Sequence, residues 1–182
     1  MQPQAKYVVL GLLSNRPMSG YEIKKHFEGN FSFFFDASYG SVYPTLNKLE
    51  QEGFISKTTI RQEDRPNKHE YELTPSGKQL FESYLRSPLL EDSIRSDLCM
   101  RLYFGEFADE RTVVEWIETG IRRHEDTAST LRGIREQFKE RMSMAQALSL
   151  QIGIDYHQNI CTTLLQGLEQ MKTHWDSKPK EE

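Results

Sequence analysis

Gly40-Ser41-Val42-Tyr43-Pro44-Thr45-Leu46-Asn47-Lys48-Leu49-Glu50-Gln51-Glu52-Gly53 places apolar residues at 42, 46 and 49 and ends in glycine. Steps of three and four put those side chains on one helical face, so the stretch predicts a helix over 40–52 stopped by Gly53. Pro44 constrains its start. Proline lacks an N–H and disfavours helical geometry in the residue before it, so the helix either begins near Gly40 or Ser41 or is kinked in its first turn.

Downstream, Phe54 to Ile60 is rich in β-branched residues and Glu70-Tyr71-Glu72-Leu73 alternates polar with apolar, which reads as two antiparallel strands. The polar, turn-rich residues 61–69 between them form a hairpin tip. Thr74 then caps a further helix with Pro75 at its first position. Upstream, Ala5 to Leu13 is short and almost wholly apolar, a buried helix ended by the turn Ser14-Asn15-Arg16-Pro17. Ser19 opens the next helix with Glu22 three residues on, a capping box, and Tyr21, Ile23 and Phe27 give that helix its apolar face. The aromatic stretch from Phe31 to Phe35 lacks a clean period and reads as a packed loop or a short helical turn. The order helix, helix, helix, hairpin, helix over residues 1–86 is that of a winged helix-turn-helix.

The whole chain has 182 residues, 37% hydrophobic, 27% charged and 11% aromatic, enough for a packed core and too few for a large multidomain enzyme. Its longest apolar run, Val8 to Leu13, is far short of the roughly 20 residues that span a bilayer. No basic segment followed by a long apolar stretch opens the sequence, so the expected location is the cytoplasm. Cys99 and Cys161 are too few for a disulfide scaffold or a four-thiolate zinc site and read as reduced thiols. The net charge of -4 is unevenly spread: residues 1–86 carry 11 Lys+Arg against 10 Asp+Glu, and residues 87–182 carry 12 against 17. The first part can meet a polyanion and the second repels one.

Residues 87–176 read as helical. A short helix follows Ser87-Pro88 through Ile94, Leu98, Leu102 and Tyr103. After Asp109, a helix cap, a three-and-four series runs Val114, Ile117, Ile121, His124, Ala128, Leu131, Arg135, Phe138, Met142. A second runs Ala147, Leu150, Ile154, His157, Cys161, Leu164, Leu168, Met171, Trp175. Sustained heptads call for partner helices, so the two series are expected to pair with each other and with a second chain. The expected dimerisation residues are Ile117, Ile121, Leu131, Leu150, Ile154, Cys161, Leu164, Leu168 and Met171. Residues 177–182 form a charged tail. The fold class is therefore mainly α with a small β-hairpin: an N-terminal winged helix-turn-helix followed by a C-terminal antiparallel, coiled-coil-like helical dimerisation domain.

Four stretches together resemble the PadR family of bacterial transcriptional regulators: Val9-Leu10-Gly11-Leu12-Leu13, Ser19-Gly20-Tyr21-Glu22-Ile23, Gly40 to Glu50 with Gly53, and Tyr71-Glu72-Leu73-Thr74-Pro75-Ser76-Gly77. The resemblance covers the first half closely. The second half is similar to the helical dimerisation domain of the larger members, which include a phenolic-acid-responsive repressor and a virulence-gene activator. The resemblance implies a homodimer that binds a pseudo-palindromic operator in duplex DNA, a repressor that answers a small aromatic or phenolic effector.

A recognition helix needs small or polar groups at its N-terminal end and hydrogen-bonding side chains that reach bases. Ser38, Tyr39, Gly40, Ser41, Tyr43, Thr45, Asn47 and Lys48 supply them, and Arg65, Asn67 and Lys68 at the wing can reach the minor groove or a phosphate. Packing beneath the hairpin is the other reading of Tyr43, and a solvated surface is the other reading of Asn47, Lys48 and the wing tip, where Glu63 and Asp64 lower the potential. Trp116, Phe138, Tyr156 and Trp175 are the candidate effector pocket; ordinary core packing is their other reading. A winged helix can also serve as a protein–protein module. His157 and Cys161, four apart on one helix face, can offer two metal ligands or a redox-responsive thiol, or simply fill the seam. No metal site and no cofactor is called for, and no nucleophile has an evident base, so no enzyme is expected.

Overall fold

Ala5–Leu13 (α1) is the apolar helix the sequence suggests, with Val9, Leu10, Leu12 and Leu13 buried. The computed structural model of the chain describes residues 5–27, 41–60, 68–91 and 96–177. It divides into two compact units, Met1–Ser93 and Ile94–Glu182. The last helix of the first unit ends at Arg86, ahead of the division between the units at Ser93 and Ile94.

In the first unit α1 is followed by β1 (Met18–Ser19), α2 (Gly20–His26), α3 (Val42–Gln51), β2 (Ile55–Ile60), β3 (Lys68–Leu73) and α4 (Pro75–Arg86). The capping box forms as expected. The Ser19 hydroxyl accepts from the Glu22 backbone N–H at 3.2 Å, and the Glu22 carboxylate accepts from the Ser19 backbone N–H at 2.9 Å. Thr74 likewise caps α4: its Oγ1 accepts from the Gly77 N–H at 3.1 Å and donates to the Gly53 carbonyl at 2.8 Å, tying the start of α4 to the end of α3. Gly53 has φ +74°, the left-handed geometry that glycine adopts at least cost just past a helix end. The core joins Leu10, Ile23, Leu46 and Leu49 of the three helices to Ile55 and Tyr71 of the sheet.

The structure corrects four expectations here. Helix α3 starts at Val42, with Ser41 at its cap position, so Pro44 sits in the first turn, where a missing N–H removes no intrahelical bond. Gly40 lies outside the described residues. The hairpin strand extends back from Glu70 to Lys68. A third strand completes the sheet, whose order is β1-β3-β2: Met18 pairs with Tyr71 and Ser19 with Glu70. The helix expected after Ser87-Pro88 is only Asp97–Tyr103 (α5), capped by Ser96, because residues 88–91 are exposed and non-helical. Ile94 is outside the described residues.

The second unit continues with a 3₁₀ turn at Gly105–Phe107, α6 (Glu110–Phe138) and α7 (Met144–Asp176). Asp109 caps α6 through the Thr112 N–H at 2.8 Å. Ser143 and Gln146 form a second capping box at the start of α7. The two long helices pack against each other over most of their length. At one end Val113, Ile117, Ile121 and Leu168 form a buried cluster, joined by Trp116, Leu164, Met171 and Trp175. The first series is thus shifted by one residue at its start, with Val113 rather than Val114 fully buried, and Met142 falls beyond the end of α6.

Candidate nucleic-acid interface

Helix α3 buries Val42, Leu46 and Leu49 and turns Tyr43, Pro44, Asn47, Lys48 and Gln51 to the surface. The angular period of a helix sets this division. Tyr43 is 49% exposed. Its ring also packs on α2, since a Cβ added at Gly20 would come within 2.9 Å of Tyr43 Cε1. The side chain therefore combines both roles considered for it: one edge fixes the crossing of α2 and α3, and the remainder faces solvent. Lys48 is exposed and lies 3.9 Å from Glu52 one turn on, a surface pair that costs little to break. Asn47 is exposed and Ser41 takes the cap position of α3. Thr45 is partly buried and lines a shallow hollow of about 200 Å³ with Ala5, Lys6, Lys48, Leu49 and Glu52. Ser38, Tyr39, Gly40, Arg65 and Asn67 lie outside the described residues.

Lys68 does not stand alone at the wing. Its ammonium is 3.7 Å from Glu22 and 3.6 Å from Glu70. Glu22 also takes the guanidinium of Arg16 at 3.1 Å. Hydrogen bonds from the Ser19 backbone and hydroxyl, followed by Arg16 and Lys68, hold its carboxyl down at about 2, well below the usual carboxylate range. Sequence reasoning found Glu22 as a cap but missed it as the meeting point of two cations, because Lys68 is remote in sequence.

In the second unit, the residues expected to join two chains are largely occupied within one. Ile117, Ile121, Leu131, Leu150, Ile154, Cys161 and Leu168 are buried, and Leu164 and Met171 are partly buried, without any second copy. A different stripe is exposed on α7: Met144 at 89%, Leu148 at 62%, Ile152 at 61% and Tyr156 at 46%. These positions recur every four residues, Tyr156 at the end of the stripe also reaching the His124 ring of α6, and the heptad count passed over them because it followed the stronger series.

The four candidate effector residues do not converge within one chain. Trp116 and Trp175 both pack on the cluster at one end of the helix pair, where Arg101 lies 5.5 Å over the Trp116 ring. Phe138 is at the far end of α6, roughly 33 Å along the helix from Trp116. Tyr156 lies between them on the exposed side of α7, its ring edge-on to His157.

His157 and Cys161 do not face a common ligand. His157 Nδ1 is 2.7 Å from His124 Nδ1 across the helix pair, whereas the Cys161 thiol is buried and donates to the Ile121 carbonyl at 3.7 Å. Burial pushes the thiol up and both imidazoles down, and His124 adds to the effect on His157. Among the described residues, no group of three or more His, Cys, Asp or Glu could hold a metal ion, and no helix is long and apolar enough to cross a membrane.

A helix-turn-helix with a three-stranded wing sheet, followed by a paired-helix unit, has direct counterparts among known proteins. Residues 9–83 match the family model of the transcriptional regulator PadR-like family, and residues 94–162 match the virulence activator alpha C-terminal model. The negative transcriptional regulator PadR of Bacillus subtilis (strain 168) is 30% identical over 145 residues, covering 79% of this chain and 78% of that protein. The chain belongs to the PadR-like family of transcriptional regulators. Its fold is shared with solved structures: the crystal structure of the PadR-like regulator BC1756 from Bacillus cereus has a TM-score of 0.85 at 36% identity, covering 94% of this chain and 99% of that one. The structure of Bacillus subtilis PadR in complex with operator DNA gives 0.77 at 27% identity, covering 91% and 97%, and that protein has also been solved with p-coumaric acid. The winged helix and the helical C-terminal unit of this PadR-like chain are thus those of the family.

Proposed function

We propose that this PadR-like protein is a repressor that binds a pseudo-palindromic operator in duplex DNA as a homodimer and releases it in response to a small aromatic or phenolic effector. The observation that carries the reading is the surface of α3: Tyr43, Asn47 and Lys48 are presented together on a helix whose opposite face is locked into the core. Hydrogen-bonding side chains on such a helix read base edges, while lysines neutralise phosphates. Ser41 at the helix start, and Lys68 with Arg65 and Asn67 at the wing, extend the contact. The operator complex of Bacillus subtilis PadR supports this mode of binding.

Dimerisation supports the palindrome, because two-fold symmetry presents two identical recognition helices about one helical turn of DNA apart or a multiple of it. The exposed stripe of Met144, Leu148, Ile152 and Tyr156 is the surface we assign to the second copy. The p-coumaric acid complex of Bacillus subtilis PadR supports an aromatic acid as the class of effector. Trp116 with Trp175, beside the Arg101 guanidinium, offers aromatic faces and a cation suited to such an acid. As a regulator of this kind the protein acts in the cytoplasm, where its operator is, and catalyses no reaction. Titrating operator DNA with Tyr43→Ala and Lys48→Ala tests the reading: both variants should bind more weakly than the wild type with the fold intact, and unchanged binding in both would remove α3 from the interface.

A further inference from the structure

Two helices of this chain open with the same device built from different residues. At α7 the Ser143 hydroxyl accepts from the Gln146 N–H at 3.2 Å, and the Gln146 side-chain oxygen accepts from the Ser143 N–H at 2.8 Å. At α2 the corresponding distances are 3.2 Å and 2.9 Å, with Glu22 in place of the glutamine. A neutral amide completes the box in one case, so the negative charge at position 22 is surplus to capping.

That charge meets cations from two other segments. Arg16, in the turn after α1, donates Nη2–H to Glu22 Oε1 at 3.1 Å, and Lys68, at the start of β3, brings its Nζ to 3.7 Å from Oε2. Glu70 provides Lys68 with a second carboxylate at 3.6 Å. The Arg16, Glu22 and Lys68 side chains are 54%, 33% and 40% exposed, so a phosphate arriving from solvent can compete for both cations. With its carboxyl held at about 2, Glu22 stays ionised throughout the physiological range.

We propose that Glu22 is a counter-charge that limits non-specific DNA affinity: it occupies Arg16 and Lys68 in the free protein and so holds them back from the phosphates of arbitrary DNA. The inference rests on the DNA-binding reading above. Non-specific affinity depends on how many cations a protein delivers to the backbone and carries no sequence information. A winged helix whose residues 1–86 have a net charge of only +1 can be shifted appreciably by one carboxylate beside its wing. Contacts from α3 to bases do not involve Glu22, so separating the two cations from it weakens the backbone part of binding to every sequence alike and leaves base readout to single out the operator.

The test is Glu22→Gln, which keeps the capping acceptor and deletes the charge. Wild type, Glu22→Gln and the triple variant Glu22→Gln/Arg16→Gln/Lys68→Gln are titrated by anisotropy into a labelled mixed-sequence duplex over a series of KCl concentrations, with circular dichroism on each protein. Glu22→Gln should stay folded, bind the mixed duplex roughly three- to tenfold more tightly at low salt, and show a log–log salt slope steeper by about 0.9 for each cation delivered. The triple variant should lose both gains. A Glu22→Gln protein with wild-type affinity and slope overturns the proposal. So does one that fails to fold, since the charge would then be needed by the cap. Absence of duplex binding by the wild type itself would instead sink the DNA-binding function.

Discussion

The ring of Tyr43 lies over Gly20, close enough that a Cβ at position 20 would meet its Cε1 at 2.9 Å. The contact joins the first residue of α2 to the exposed face of α3, so the side chain we assign to DNA contact also sets where that face points. Gly20→Ala should push the half-exposed ring outward, costing about 1 kcal/mol of stability while displacing the hydroxyl from its place. Operator affinity should therefore fall by more than the stability loss accounts for. Thermal unfolding and DNA titration of one preparation check this, and equal losses in both would show that the ring has no part in binding.

Among the described residues Lys48 makes a long surface pair with Glu52, so Lys48→Ala should change stability by no more than about 0.5 kcal/mol. In each DNA-bound chain it should remove one phosphate contact and flatten the salt dependence by about 0.9 in log–log slope. A variant with unchanged slope would place Lys48 away from the backbone.

The internal seam and the exposed stripe of the C-terminal unit predict opposite phenotypes. Ile117→Ala or Leu131→Ala removes a fully buried side chain between α6 and α7 and should destabilise the unit by about 2 to 5 kcal/mol. Ile152→Asp alters a residue that is 61% exposed and should leave each chain folded but monomeric. Operator affinity of that monomer should drop by orders of magnitude, because the two half-sites are no longer bound by one linked molecule. Sedimentation gives the answer directly; a dimeric Ile152→Asp protein would move the interface off this stripe.

The paired imidazoles His124 and His157 should make the stability of the C-terminal unit acid-sensitive. Burial lowers the pKa of both, and His124 adds to the effect on His157. The unfolded chain therefore takes up protons first as pH falls below about 6.5. The stability tied to the neutral pair is complete above that pH and is lost as pH drops through the folded values. Both tryptophans of the chain, Trp116 and Trp175, report on this unit. Urea unfolding followed by their fluorescence should have a lower midpoint at about pH 5.5 than at about pH 7.5, and the double variant His124→Gln/His157→Gln should reduce that difference. A pH-independent midpoint in the wild type would contradict it.

What the sequence made legible was local. Ser19 with Glu22, Thr74 with Pro75, and Asp109 announce helix starts because a cap and its partner lie within three residues of each other. The strand Met18–Ser19 was not legible, since two residues have no period and are a strand only through Tyr71 and Glu70. The pairing of Lys68 with Glu22 escaped for the same reason: Glu22 is distant in sequence and is brought to β3 by the β1–β3 pairing. The heptads located the long helices well but left their partner open. Leu150, Ile154 and Leu168 satisfy a seam equally well against another segment of the same chain or against a second chain, and the weaker stripe through Leu148 and Ile152 shows its meaning only once α6 has covered the stronger one.

The central claim, that α3 and the wing of a two-chain assembly read duplex DNA, is tested most directly by sedimentation of the protein with a labelled fragment from the promoter of its own gene, alongside a mixed-sequence duplex, at rising salt. The account predicts two chains, or a multiple of two, per duplex, an affinity for the promoter at least about a thousandfold above that for the mixed sequence, and a linear fall of log affinity with log salt. A single chain per duplex, or equal and salt-independent binding of both duplexes, would contradict it.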